Sequence, residues 1–151
     1  MIDLSPNRAP ADLVEAIYAA RREDRPDLQP QVERLTQHSS PTVREEAAAL
    51  LLVRWHCVDF REEARRLLIE DLDAGVRARV ALGLAMISSR NEQLADAILL
   101  AEVFGATDSA PHLKCACFEA LRWMVGRPTT VELDDTDSAA VSLLVQEIAH
   151  R

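Results

Sequence analysis

The phrase DLDAGVRARVALGLAM, Asp71 to Met86, has an earlier counterpart in HSSPTVREEAAALLLV, His38 to Val53. In the first copy Val43, Ala47, Ala48 and Leu51 stand at i, i+4, i+5 and i+8. Val76, Val80, Ala81 and Leu84 repeat that spacing thirty-three residues later, and Leu113, Cys117, Phe118 and Leu121 repeat it after a further thirty-seven. The four extra residues amount to about one helical turn. This spacing gathers its residues on one face of a helix. Recurrence at such a period marks a stack of like units, each covering its neighbour's apolar face. The constraint is severe: the chain should be all-α, an α-solenoid of about four antiparallel helical hairpins.

Composition agrees with helices. The 151 residues are 48% hydrophobic but only 4% aromatic, and only four glycines interrupt them. Ala and Leu carry most of the apolar content and are strong helix formers, whereas sheets draw on β-branched and aromatic residues. Eight amphipathic segments can be read, near 11–23, 28–38, 42–55, 60–72, 75–88, 92–105, 112–125 and 137–150. Pro10, Pro41 and Pro111 stand at helix starts, where a missing N–H costs little. Pro26 and Pro30 delay or kink the second helix. Asp59, with Glu62 three residues on, is expected to cap the fourth helix; Asn91 and Asp137 are the matching N-cap candidates for the sixth and eighth. The organisation that follows is a lead over 1–9, helical repeats over 10–125, a loop over 126–136 and a capping helix over 137–151.

Behind each valine-like position comes a cation, Arg44, Arg77 or Lys114, and five residues ahead of two of them comes an aspartate, Asp71 or Asp108. Together with the spacing, this resembles the HEAT and HEAT-like repeat families, including the phycobilisome-lyase type, over roughly residues 28–125. DLDAGVRARVALGLAM carries the likeness best, SSPTVREEAAALLLV next and TDSAPHLKCACFEALRWM more loosely. The resemblance implies a HEAT-like superhelix in which Asp71, Arg77, Arg44, Asp108 and Lys114 form a structural ladder between repeats. His38 and Lys114 depart from the family pattern. The scaffold itself says little of activity.

A formal charge of −8 weighs against nucleic acid, whose phosphates demand a concentrated basic surface. No run of eighteen apolar residues stands ready to cross a membrane. Without a signal peptide in MIDLSPNRAP, the three cysteines Cys57, Cys115 and Cys117 are read as free thiols in a reducing cytoplasm. Chemistry is harder to find. His112 and Cys115 share an i, i+3 spacing, but Cys117 points elsewhere and no further ligand converges. His56 and Cys57 are adjacent on a helix end and do not face each other. Acidic neighbours such as Glu45 and Glu46 read as solvated surface. The glycines are isolated, so no phosphate loop forms. No catalytic residue, metal or cofactor is expected, and a non-catalytic role is favoured over an enzymatic one.

Opposite the core stripe of the third, fifth and seventh helices, at about 100° per residue, lie Ala49 and Val53, then Leu82 and Met86, then Glu119 and Trp123. Such a face should be polar, yet five of these six are apolar. With Arg79 and Arg122 at its edges, the row Val53, Leu82, Met86, Glu119 and Trp123 reads as a groove on the concave surface for another protein or peptide. Adaptor, regulatory subunit and inhibitor or immunity-type protein all fit, in a bacterial setting suggested by the Ala/Leu/Arg-rich vocabulary. The alternatives are a HEAT-like enzyme or enzyme subunit, of bilin-lyase or DNA-base-repair type, and a self-assembling repeat protein joined through the apolar final helix. A monomer or weak homodimer is expected.

Overall fold

The computed structural model describes residues 2–106, 108–126 and 138–150, which are all-helical with no strand among them. Its helices are α1 (Pro10–Arg22), α2 (Gln29–Leu35), α3 (Pro41–Ala49), α4 (Arg61–Glu70), α5 (Ala74–Ile87), α6 (Gln93–Gly105), α7 (Pro111–Met124) and α8 (Ser138–Ala149). No described helix is long and apolar enough to cross a membrane. The odd-numbered helices lie side by side in the order α1, α3, α5, α7. Each of α2, α4 and α6 packs on the odd helix that follows it, and α8 closes on α6 and α7.

All twelve residues of the recurring apolar pattern are buried, from Val43 to Leu121. Prolines open α1, α3 and α7 as expected, and α2 starts late, behind a 3-10 turn over Pro26–Leu28. The lead is not loose, since Leu4 is buried in the core. Of the expected loop 126–136, only Gly126 lies among the described residues.

Capping corrects two expectations. Asp59 sits inside a 3-10 turn, Val58–Phe60, and makes no cap bond; α4 starts behind Phe60, and Glu62 accepts from Arg65 instead. Asn91 falls short of α6, whose entry turn is held by the Ser89 carbonyl accepting from the Glu92 and Gln93 amides. Asp137 lies outside the described residues. Among the described helix starts, the side-chain cap that forms is Asp73, whose Oδ1 accepts from the Gly75 and Val76 amides at 2.9 and 3.0 Å. It supplies a partner to donors that a helix start otherwise leaves unpaired.

The end of α3 departs from regular geometry. Leu50–Arg54 forms one wide, π-type turn, with the Trp55 amide donating to the Leu50 carbonyl at 3.0 Å. The extra width lets Leu50, Leu51 and Leu52 all be buried in succession. It also brings Leu52 against Gly83 of α5, where no other residue type leaves room.

Candidate functional interface

The open side of the α3–α5–α7 row carries the residues singled out by the pattern. Ala49, Val53, Leu82, Met86 and Glu119 are half-buried, and Trp123 is 61% exposed. None of the six is fully buried, although Leu82 packs against the core from its edge. α5 packs against both α3 and α7. Leu82 and Met86 thus belong to the middle helix of the row, with Val53 on one neighbour and Trp123 on the other.

The polar members of this face are anchored. Arg79 reaches across from α5 to Glu45 of α3, Nη2 to Oε1 at 3.2 Å. Arg122 stands 5.9 Å from the centre of the Phe118 ring, within reach of a cation–π attraction. Tyr18 of α1 lies beside Glu46, whose carboxylate, as hydrogen-bond acceptor and as charge, pushes the phenol above its ordinary value. Trp55 is half-buried against the core, and its indole N–H is buried without a hydrogen-bond partner. The final helix spends Val141, Leu144 and Ile148 inside its own chain and leaves Leu143 exposed.

The ladder residues divide. Arg44 makes a bidentate pair with Asp71, Nε to Oδ2 and Nη2 to Oδ1, both 2.8 Å. Its remaining nitrogen donates to the His38 and Ser39 carbonyls. Burial would raise the Asp71 carboxyl, yet the Arg44 guanidinium and the Asp73 amide hold it below the ordinary carboxylate value. One repeat on, Arg77 donates from Nε to the Leu68 carbonyl at 2.8 Å, not to Asp108, which is exposed. Lys114 lies over the Phe104 ring at 6.0 Å. The three cations occupy equivalent positions but take three different partners.

A second polar cluster went unread in the sequence. Asp96 of α6, fully buried, accepts from Arg65 Nε at 2.8 Å and from Ser88 Oγ at 2.6 Å. Arg61 lies alongside, pairing with Glu92 and donating to the Ile87 carbonyl at 2.5 Å. An acid among the apolar residues of QLADAILLAEVF was the available signal, since a charge at a core-facing position is retained only with a partner.

Among the described residues, no group of three or more His, Cys, Asp or Glu side chains stands ready to hold a metal ion. Cys117 is buried, which pushes its thiol up to about 12, far from a nucleophile's range. His112 is exposed at the start of α7. No family model, curated protein or solved structure matches the chain.

Proposed function

We propose that the chain is a non-catalytic interaction module: a short α-solenoid of the HEAT-like kind, about four hairpins long, that holds a partner protein or peptide on the open face of α3, α5 and α7. Side-by-side odd helices, with α3, α5 and α7 each backed by an even one, support the solenoid reading. The observation that carries the function is Trp123. A tryptophan 61% exposed, next to a helix presenting half-buried Leu82 and Met86, is costly surface for a chain to keep in water. Trp, Met and Arg are also types enriched at interfaces, with Trp and Arg most frequent among the residues that dominate their energy. Arg79 and Arg122 at the edges would set orientation more than affinity. No cofactor enters this reading, and the acidic balance turns it away from nucleic acid and toward protein.

The test is capture from native host lysate with the wild type and a Met86→Glu, Trp123→Ala double variant in parallel. Far-ultraviolet circular dichroism first establishes that the variant keeps its helices. The expected result is a partner held by the wild type and lost by the folded variant. If both retain the same partner, recognition lies elsewhere on the molecule. If neither captures one, the interaction reading gives way to self-association or enzymatic activity.

A further inference from the structure

Glu119 and Trp123 stand one turn apart on α7, close enough for one ligand group to touch both. Phe118 and Arg122, the adjoining pair at the same spacing, already make a cation–π contact within the chain. Trp is the better ring for such a contact, and Trp123 is far more exposed than Phe118, yet among the described residues no cation stands over it. Glu119 is half-buried, and among the described residues it has no ion-pair partner. The carboxylates at the other end of the face are differently placed: Glu45 is held by Arg79, and Glu46 lies beside the Tyr18 hydroxyl. A carboxylate and an open indole side by side recognise positive charge by two separate attractions, ion pairing and cation–π.

Next to that pair the face is apolar. Val53 in the wide turn and Leu82 and Met86 on α5 continue the row away from Trp123. Adjacent helix axes are about 8–10 Å apart, so the row from Val53 to Trp123 spans about 16–20 Å. A helix rises about 1.5 Å per residue, so about 11–13 residues of one laid along the row would cover it. An occupant has to bring its own backbone hydrogen bonds, because the N–H and C=O groups along the middle of α5 and α7 are spent within those helices. A helix does so, and a lone extended strand does not.

Resting on the partner-binding reading of this face, we infer that its occupant is a basic amphipathic helix of another protein, with an arginine or lysine laid on Trp123 and paired to Glu119. Aliphatic side chains on its other turns cover Leu82 and Met86. An arginine suits the site best, since its flat guanidinium stacks on an indole while its edge donates to a carboxylate. Arg79 and Arg122 do not cancel the preference: the first is paired with Glu45, and the second lies over Phe118. The chain's charge of −8 adds a longer-range attraction that salt screens. A neutral or acidic helix would instead cover the Glu119 carboxylate and leave its charge unpaired.

The test uses two synthetic helical peptides with the same leucine face, one carrying arginines on its polar face and the other glutamates, followed by fluorescence anisotropy of a dye on the peptide. The arginine peptide should bind the wild type about tenfold or more tighter than the glutamate peptide, and weaken as salt rises. Glu119→Gln, which keeps the side chain's shape, should weaken the arginine peptide about threefold, and Glu119→Lys about tenfold or more, with the circular dichroism unchanged. Glu70→Lys makes the same change of net charge on an exposed residue of α4 and should leave the affinity within about twofold. Equal weakening by Glu70→Lys would reduce the attraction to net charge and overturn the inference. So would a wild type that binds both peptides alike, or that binds no arginine peptide up to about 1 mM. If the Met86→Glu, Trp123→Ala variant holds the arginine peptide as the wild type does, the site is elsewhere and both readings of this face fail. Loss in that variant, with none in Glu119→Gln or Glu119→Lys, keeps the face and removes the basic partner.

Discussion

A Cβ on Gly83 would fall 2.6 Å from the Leu52 Cβ and 2.9 Å from its Cδ1. Helix propensity alone favours Ala at this position by about 1 kcal/mol, while overpacking a closed core costs about 1–3 kcal/mol. The Leu52 Cβ is tied to the backbone of the wide turn and cannot swing aside, so packing should prevail. Gly83→Ala is expected to lower stability by about 1–2 kcal/mol, read from the urea midpoint at unchanged slope; a stabilised variant would mean the two helices can part. Asp71 offers a test in pH. Its folded pKa is depressed, so its contribution is complete above the unfolded value of 3.8 and fades as pH falls through the lowered folded one. Asp71→Asn leaves Arg44 without its counter-charge and should cost about 2–3 kcal/mol at neutral pH. Below about pH 3 the gap between variant and wild type should narrow, because both then lack the charge. A constant gap across that range would show that the carboxylate's charge contributes nothing.

At the scale of helices, the repeat was the most legible feature of the sequence. Spacing from Val43, Val76 and Leu113 identified twelve positions that are all buried, and prolines marked three helix starts. Both signals are local, written within one helix. What escaped is not local. Arg65 and Asp96 are thirty-one residues apart, on helices whose mutual contact no single-helix pattern encodes. The wide turn at Leu50–Arg54 has only a run of leucines to announce it. Asp73 was overshadowed by Asp59 and Asn91 because an N-cap depends on extended backbone at that residue as well as on its side chain. The candidate interface was legible through the same phase that gave the core. The Asp96 cluster carries its own prediction. Asp96→Ala takes the buried carboxylate from Arg65 and leaves Arg61 with only Glu92 and the Ile87 carbonyl, and should cost about 3–5 kcal/mol, whereas Glu62→Ala, removing an exposed partner of Arg65, should cost well under about 1 kcal/mol. Comparable losses for the two, in thermal or urea unfolding, would contradict a buried network anchored on Asp96.

For the whole molecule, what matters is where cohesion is concentrated. α5 touches α3, α4, α6 and α7, and its burial covers somewhat more than half its circumference, from Gly83 through Val76 and Leu84 to Ala81 and Ala85. α1 rests on α3 and the wide turn that follows it, and among the described residues α8 rests chiefly on α6 and α7. In a stack held by neighbour-to-neighbour contacts, an end unit is secured on one side and an inner unit on both. Opening an end therefore exposes less apolar surface than opening the middle, and local opening free energies should rise inward. Amide hydrogen exchange followed by mass spectrometry at neutral pH should find α5 peptides exchanging only through global unfolding. Peptides from α1 and α8 should exchange at least tenfold faster, equivalent to about 1.4 kcal/mol or more of easier opening. Asp96→Ala should steepen that gradient on the α6–α8 side first, because its loss loosens α4 from α6 and leaves α8 on a weakened support. Uniform protection from α1 to α8 would instead describe a single cooperative core. In that case Trp123 would be displayed by a rigid body, with no difference in stability between the middle of the row and its ends.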